Sequence, residues 1–304
     1  MGARPRLPPN VEGALWVLAS AVAFTAMTTL VKFLGEGYSA SLQTFYRQAS
    51  GVLVLAPWIL RDPVKAFKTT RPGVLLFRAS AGTLAMILSF YAYQRLPLAD
   101  ANALSFTRSL WLVPLAALLL GEKIGPARIA AAVIGFGGVM LMLRSLSQQG
   151  HSAFGAAQLA ALASAFLFAF TIAGMKVVMR DNSVLVVLVW SSVLGLVAAI
   201  PPALLSWRWP GPHDLMLLAI MGAFAVATQA FYTKGVQLGD AAAIAPIDYT
   251  RLVFATVAGF LLFHEVPGVL TLVGAAIVVA ASLFITWREA VLSRPLPEDP
   301  TVEA

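Results

Sequence analysis

Runs of about twenty apolar residues follow one another along nearly the whole of this 304-residue chain, and they leave few folds open. Twenty helical residues cross roughly 30 Å of hydrocarbon, where every backbone amide must find its partner inside the protein. Charged residues make up only 12% of the chain, against about 25% in ordinary soluble domains, so the apolar runs cannot all be hidden in a water-soluble core. A β-barrel would show ten-residue segments of alternating character instead. The chain reads as an all-α polytopic membrane protein.

Ten spans are expected, near residues 13–34, 41–60, 73–94, 99–120, 126–144, 153–179, 183–205, 213–234, 240–263 and 267–287. The breaks between them carry turn residues, such as Arg61-Asp62-Pro63 and Trp209-Pro210-Gly211-Pro212. The layout also repeats. The segment from Leu98 to Met142 holds an apolar run with Arg108 in its middle, a Gly-Glu break at Glu122 and a second run rich in small residues. From Leu238 to Ile285 the same order returns, with Arg251 and Glu265 each 143 residues after their counterparts. The expected organisation is a cytoplasmic N-terminal segment over 1–12, a first five-helix repeat over 13–150, a second over 151–287 and a disordered cytoplasmic tail over 288–304. Five is odd, so the second copy enters the membrane upside down, giving two inverted five-helix repeats. Inverted repeats are a mark of secondary transporters, with substrate held near the midplane.

The net charge of +7 sorts by side. Thirteen Lys and Arg residues, among them Arg61, Lys65, Lys68, Arg71, Lys123 and Arg180, flank one face of the spans; Arg95, Arg144 and Arg208, with Lys32 close by, flank the other. By the positive-inside rule both termini are cytoplasmic, and the charge is a topology signal with no call for nucleic acid. The N-terminal run is too long for a signal peptide and is expected to stay as the first span of an inner-membrane protein.

Ionisable side chains inside spans are costly and mark function by default. Arg108, Asp248 and Arg251 are the deepest, and Asp248 and Arg251 share a helical face. Arg108 or Arg251 would meet a substrate carboxylate, with Asp248 balancing charge or taking a proton; a structural ion pair between helices is the plainer alternative. Arg47 and Arg78 are read as structural, with side chains long enough to snorkel. Polar stripes join the candidates: Phe24 and Thr28 in the first span, Ser89 and Tyr93 in the third, Asn102 and Ser105 in the fourth. Phe168 and Thr171 in the sixth span, Gln229 and Tyr232 in the eighth, and Tyr249 in the ninth complete a shared, aromatic-walled cavity. Small hydroxyl residues also join helices in bilayers, which is the alternative for each stripe alone. Lys32 and Lys176 are expected to be interfacial anchors, and Glu122 and Glu265 to cap the helix that follows each. The small-residue fifth and tenth spans are expected to clamp together away from the substrate path, and Pro246 to shape the site.

Several chemistries lack their residues. No Walker-type phosphate loop or G-x-S-x-G nucleophile is present, there is no cysteine, and the three histidines are scattered. No enzyme activity, cofactor or metal is expected. The expected partners are a small-molecule substrate and the lipid bilayer, for a monomer or homodimer.

The stretch Pro114–Glu122, PLAALLLGE, followed by Gly125-Pro126 and the small-residue span through Gly135, Gly137 and Gly138, resembles the Pro-x5–7-Gly-Glu signature of the drug/metabolite transporter superfamily, in its EamA-type ten-helix branch. The second copy, Phe260 to Glu265, keeps the acid, has His264 where Gly is usual and lacks the Pro. The resemblance covers essentially the whole chain, and within the branch the chain looks most like YddG-type aromatic amino-acid exporters. It implies an amino-acid exporter, aromatic ones included, working by alternating access around a central cavity. Transport of another metabolite or drug, such as a nucleoside or cationic compound, stays open, as more distantly does a membrane enzyme or lipid-handling protein.

Overall fold

The computed structural model describes residues 8–69, 72–121, 125–148, 155–178, 184–238 and 246–292. Among them every regular element is helical. The order is α1 Pro9–Phe33, α2 Ala40–Arg61, the short α3 Pro63–Phe67, α4 Pro72–Arg95, α5 Leu98–Ser105, α6 Arg108–Leu120 and α7 Pro126–Gln148. The second half holds α8 Ala156–Val178, α9 Val184–Leu204, α10 Pro212–Leu238, α11 Thr250–Phe263 and α12 Val269–Leu292. Among the described residues eight helices are long and apolar enough to cross a membrane. The other two expected spans are α2, which carries Gln43, Arg47 and Gln48 in its interior, and the fourth, which is split into α5 and α6. α12 continues to Leu292, past the point at which a disordered tail was expected. Glu122, the side chain of Lys176, and residues 1–7 and 293–304 lie outside the description.

The packing partners cross between the halves with a two-fold logic. The first span, α1, lies against the eighth, α10, as the sixth, α8, lies against the third, α4. The second packs on the seventh and the fifth on the tenth, each pair mapping onto itself. The first also meets the ninth, α11, and the sixth meets the fourth, α6. Two inverted repeats therefore interlock rather than sit side by side.

Small residues set the closest of these contacts. Where α7 crosses α12, a Cβ on Gly138 would stand 2.7 Å from the carbonyl oxygen of Gly274, and one on Gly274 would stand 2.6 Å from Met142. Glycine on both sides lets backbones approach where lipid offers no hydrophobic drive for helix association. These are the fifth and tenth spans, clamped as their small-residue stripes lead one to expect.

The turns after the fourth and ninth spans also match. Gly121 (φ 64°) and His264 (φ 54°), 143 residues apart, are both left-handed caps, donating N–H to Ala116 O and Gly259 O. Histidine is among the non-glycine residues that tolerate this region, so the second copy keeps the turn without the glycine.

Candidate functional site

The fourth and ninth spans are both interrupted beside an arginine. Between α5 and α6 the ladder tightens: Thr107 N–H reaches Leu104 O at 3.1 Å and Leu110 N–H reaches Thr107 O at 2.9 Å. Three alternate hydroxyls cause it. Ser105 donates to Asn102 O, Thr107 to Leu104 O and Ser109 to Phe106 O, each at 2.7 Å. Side-chain bonds to carbonyls three residues back compete with the regular helix and open it. In the ninth span Thr250 donates to Ile247 O at 2.7 Å and Tyr249 N–H reaches Pro246 O at 3.3 Å, just before Arg251. Pro246 stands at the start of this turn, where it supplies no N–H.

The two breaks bring three charges together. Arg108 Nη2 lies 3.2 Å from Asp248 Oδ2, and Arg251 Nη2 lies 2.5 Å from Asp248 Oδ1. One carboxylate bridges two guanidiniums, one from each repeat. Asp248 and Arg251 are buried, while Arg108 stays partly open. The Arg251 guanidinium sits over the Phe24 ring at 4.5 Å and near the Tyr232 ring at 5.9 Å, and Phe24 meets Tyr93 edge-on at 6.2 Å. Cation–π contacts of this kind attract a guanidinium to the faces of rings. Two arginines and one aspartate leave a formal +1 beside the rings of Phe24 and Tyr232. Tyr93 lies near both guanidiniums with its hydroxyl beside Ser105, while Asn102 is fully buried and donates through Nδ2 to Leu98 O at 3.3 Å. This arrangement can hold an anionic head group and a flat ring; it contains no nucleophile paired with a base.

The other expected lining residues are spread more widely. Ser105 is engaged in the helix break, and Tyr249 packs against Phe106 with ring centres 4.8 Å apart and planes tilted by 55°. Thr28 is fully buried and donates to Thr25 O. Thr171 belongs elsewhere: its carbonyl accepts from Arg78 Nε at 3.3 Å. Ser89 and Phe168 are half-buried and Gln229 is exposed, and among the described residues no side-chain hydrogen bond, ion pair or ring contact ties them to the cluster.

Two features went unread in the sequence. Lys32 is no snorkelling anchor: its ammonium pairs with Glu265 Oε1 and donates to Leu96 O at 2.6 Å, above the Phe263 ring. Glu265 caps a helix, but the one opening the fourth span, accepting from Leu98 N–H at 2.8 Å, rather than the tenth. The pair ties both repeats together at one end of the bundle. Glu265→Gln leaves a largely buried ammonium without its counter-charge, with an expected cost of up to about 3 kcal/mol. A double-mutant cycle with Lys32→Met, read as thermal melting in detergent, is expected to show that the losses do not add. Asp100 is fully buried and accepts from the Thr271 hydroxyl at 2.7 Å, so Asp248 is not the sole acid inside the bundle.

A profile of the EamA-like transporter family matches residues 11–144 and, a second time, residues 155–287. The chain belongs to the EamA-like transporter family. It is a small-metabolite transporter of the membrane and not an enzyme. Among its relatives, the S-adenosylmethionine uptake transporter of Rickettsia prowazekii is 29% identical over 93% of this chain and 95% of its own length. The riboflavin transporter of Rhizobium johnstonii is 29% identical over 92% of each chain. The pseudopaline exporter CntI of Pseudomonas aeruginosa is 27% identical over 90% of this chain and 96% of its own. A solved crystal structure superposes with a TM-score of 0.61 at 18% identity, covering 95% of this chain and 99% of that one, a likeness of fold. These relatives differ in cargo and, by name, in direction, so the likeness leaves the substrate open.

Proposed function

We propose that this protein moves a small metabolite bearing a carboxylate beside a flat ring, an amino acid of the aromatic kind or a close chemical analogue, by alternating access at the Arg108–Asp248–Arg251 cluster. The observation that carries the reading is the cluster itself: a net positive, aromatic-walled site formed where two inverted repeats each break a helix. Asp248 balances one arginine, and the other is left for the substrate carboxylate, which charge-assisted bonds hold strongly. Phe24, Tyr93 and Tyr232 supply the faces on which a ring stacks. Interlocked inverted repeats supply the motion, since exchanging the roles of the halves opens the site first to one side and then to the other. S-adenosylmethionine, the cargo named for the Rickettsia relatives, is itself an α-amino acid carrying a heteroaromatic ring, and riboflavin is ring-bearing too. Both termini face the cytoplasm of a bacterial inner membrane, as the distribution of Lys and Arg favours.

Purified protein in liposomes is expected to exchange labelled L-phenylalanine or L-tryptophan down a gradient without ATP, with S-adenosylmethionine competing in the same assay. Flux no greater than that of empty liposomes for all three would overturn the substrate class.

A further inference from the structure

Two further arginines lie inside the bundle, away from the central cluster, and among the described residues neither pairs with an acid. Arg78, on α4, donates through Nε to Thr171 O at 3.3 Å and through Nη1 to the Ser191 hydroxyl at 2.7 Å. Arg47, on α2, donates through Nη1 to Gln48 Oε1 at 3.0 Å, and its Nε is buried without a partner among the described residues. The helices that carry and surround them, α2, α4, α8 and α9, contain no Asp or Glu anywhere in their lengths. The acids on the other packed helices, Glu12, Asp100 and Asp214, lie in the first turns of α1, α5 and α10. A guanidinium within a bilayer without a counter-charge is expensive and is retained for a purpose.

The two arginines are tied to one turn of α9. Arg78 is bonded to Ser191, while the Gln48 amide that accepts from Arg47 packs directly on Gly195, where even a Cβ would collide with it. Four helical residues rise about 6 Å, so the two anchor points, Ser191 and Gly195, stand one turn apart on α9. Both remain partly exposed. Successive residues turn by about 100°, so Arg78, Gly82, Ser89 and Tyr93 fall on one face of α4. That face runs for about 22 Å from Arg78 to the aromatic wall of the central site.

We propose that Arg47 and Arg78 form a second anion subsite, which takes the carboxylate of the substrate on its way between the central cluster and the end of the bundle where α4 begins. The inference rests on the reading that the central cluster holds a substrate carboxylate. Hydroxyl and amide neighbours orient the guanidiniums without neutralising them, which leaves their charge to the cargo. Ser191, Thr171 and Gln48 position; Arg47 and Arg78 bind.

The test is equilibrium binding of labelled benzoate to the full chain in phosphatidylcholine nanodiscs, with neutral benzamide as the control. Two benzoates per chain and no benzamide are expected. Arg78→Gln and Arg47→Gln should each remove one benzoate, and Arg251→Gln the other. Arg78→Lys, which keeps the charge, should hold that site within about tenfold. Should Arg78→Gln fail to fold, Ser191→Ala removes only an orienting hydroxyl and is expected to weaken one site three- to tenfold. One benzoate lost in Arg251→Gln and unchanged in both Arg47→Gln and Arg78→Gln overturns the second subsite and leaves the central reading standing. One benzoate lost only in Arg78→Gln or Arg47→Gln does the reverse, and no binding overturns both.

Discussion

Arg251→Gln is expected to lower kcat/KM for carboxylate transport by about 10- to 100-fold, since a hydrogen bond to a charged group is worth about 1.5–3 kcal/mol. The residue is 6% exposed, bound to Asp248 and placed over the Phe24 ring, so it cannot be replaced by a neighbour. Its loss takes the formal charge of the cluster from +1 to zero, because Asp248 then pairs with Arg108 alone. Arg251→Lys keeps the charge but loses the planar fork and the stacking, and is expected to recover only part of the activity. Asp248→Asn acts in the opposite sense. It raises the cluster to +2 and leaves two guanidiniums without their bridge, so it is expected to reduce both transport and folded yield. Initial rates of labelled amino-acid uptake in liposomes, normalised to folded protein, check all three variants. An Arg251→Gln protein with wild-type rates would remove the cluster from the substrate path.

The second large effect falls on folding. Gly274→Val forces a branched side chain into the crossing of α7 and α12, where a bare Cβ already meets Met142 at 2.6 Å and faces the backbone of Gly138. Overpacking costs about 1–3 kcal/mol where side chains can yield, and here a backbone is among the obstacles, so about 3 kcal/mol or more is expected. Gly137→Val is the control. It sits next to Gly138 on the exposed side of α7, with nothing within 4 Å of its Cβ. Thermal melting followed by size-exclusion profile should show Gly274→Val aggregating at a lower temperature and Gly137→Val matching the parent. Equal melting of the two would mean that the fifth and tenth spans do not clamp.

The parts of this arrangement legible in the sequence are those announced by rarity. Arg108, Asp248 and Arg251 stand out because charges inside apolar runs are few, and the 143-residue spacing matches the two arginines before any coordinates. The clamp of α7 on α12 was legible because glycine and alanine at helical spacing have few other uses in a membrane. The rest depends on which hydroxyl bonds to what. Ser105, Thr107 and Ser109 look like helix-joining polar residues, as Ser109 is toward Ser282, and only their bonds to the carbonyls three residues back show that they split the fourth span. Thr171 sits on a stripe with Phe168, yet packing turns its carbonyl to Arg78. Lys32 and Glu265 are 233 residues apart, and each has an adequate local explanation at a helix end that conceals their pairing. Asp100, two residues into its span, passes for an ordinary first-turn acid until Thr271 is seen against it.

The most direct measurement is a structure of the full chain with a transported amino acid bound. The account predicts the substrate carboxylate at about 3 Å from a guanidinium nitrogen of Arg108 or Arg251, with its ring against Phe24 and Tyr93. A substrate bound with its carboxylate away from both arginines, and the Arg108–Asp248–Arg251 bridge unchanged beside it, would contradict it.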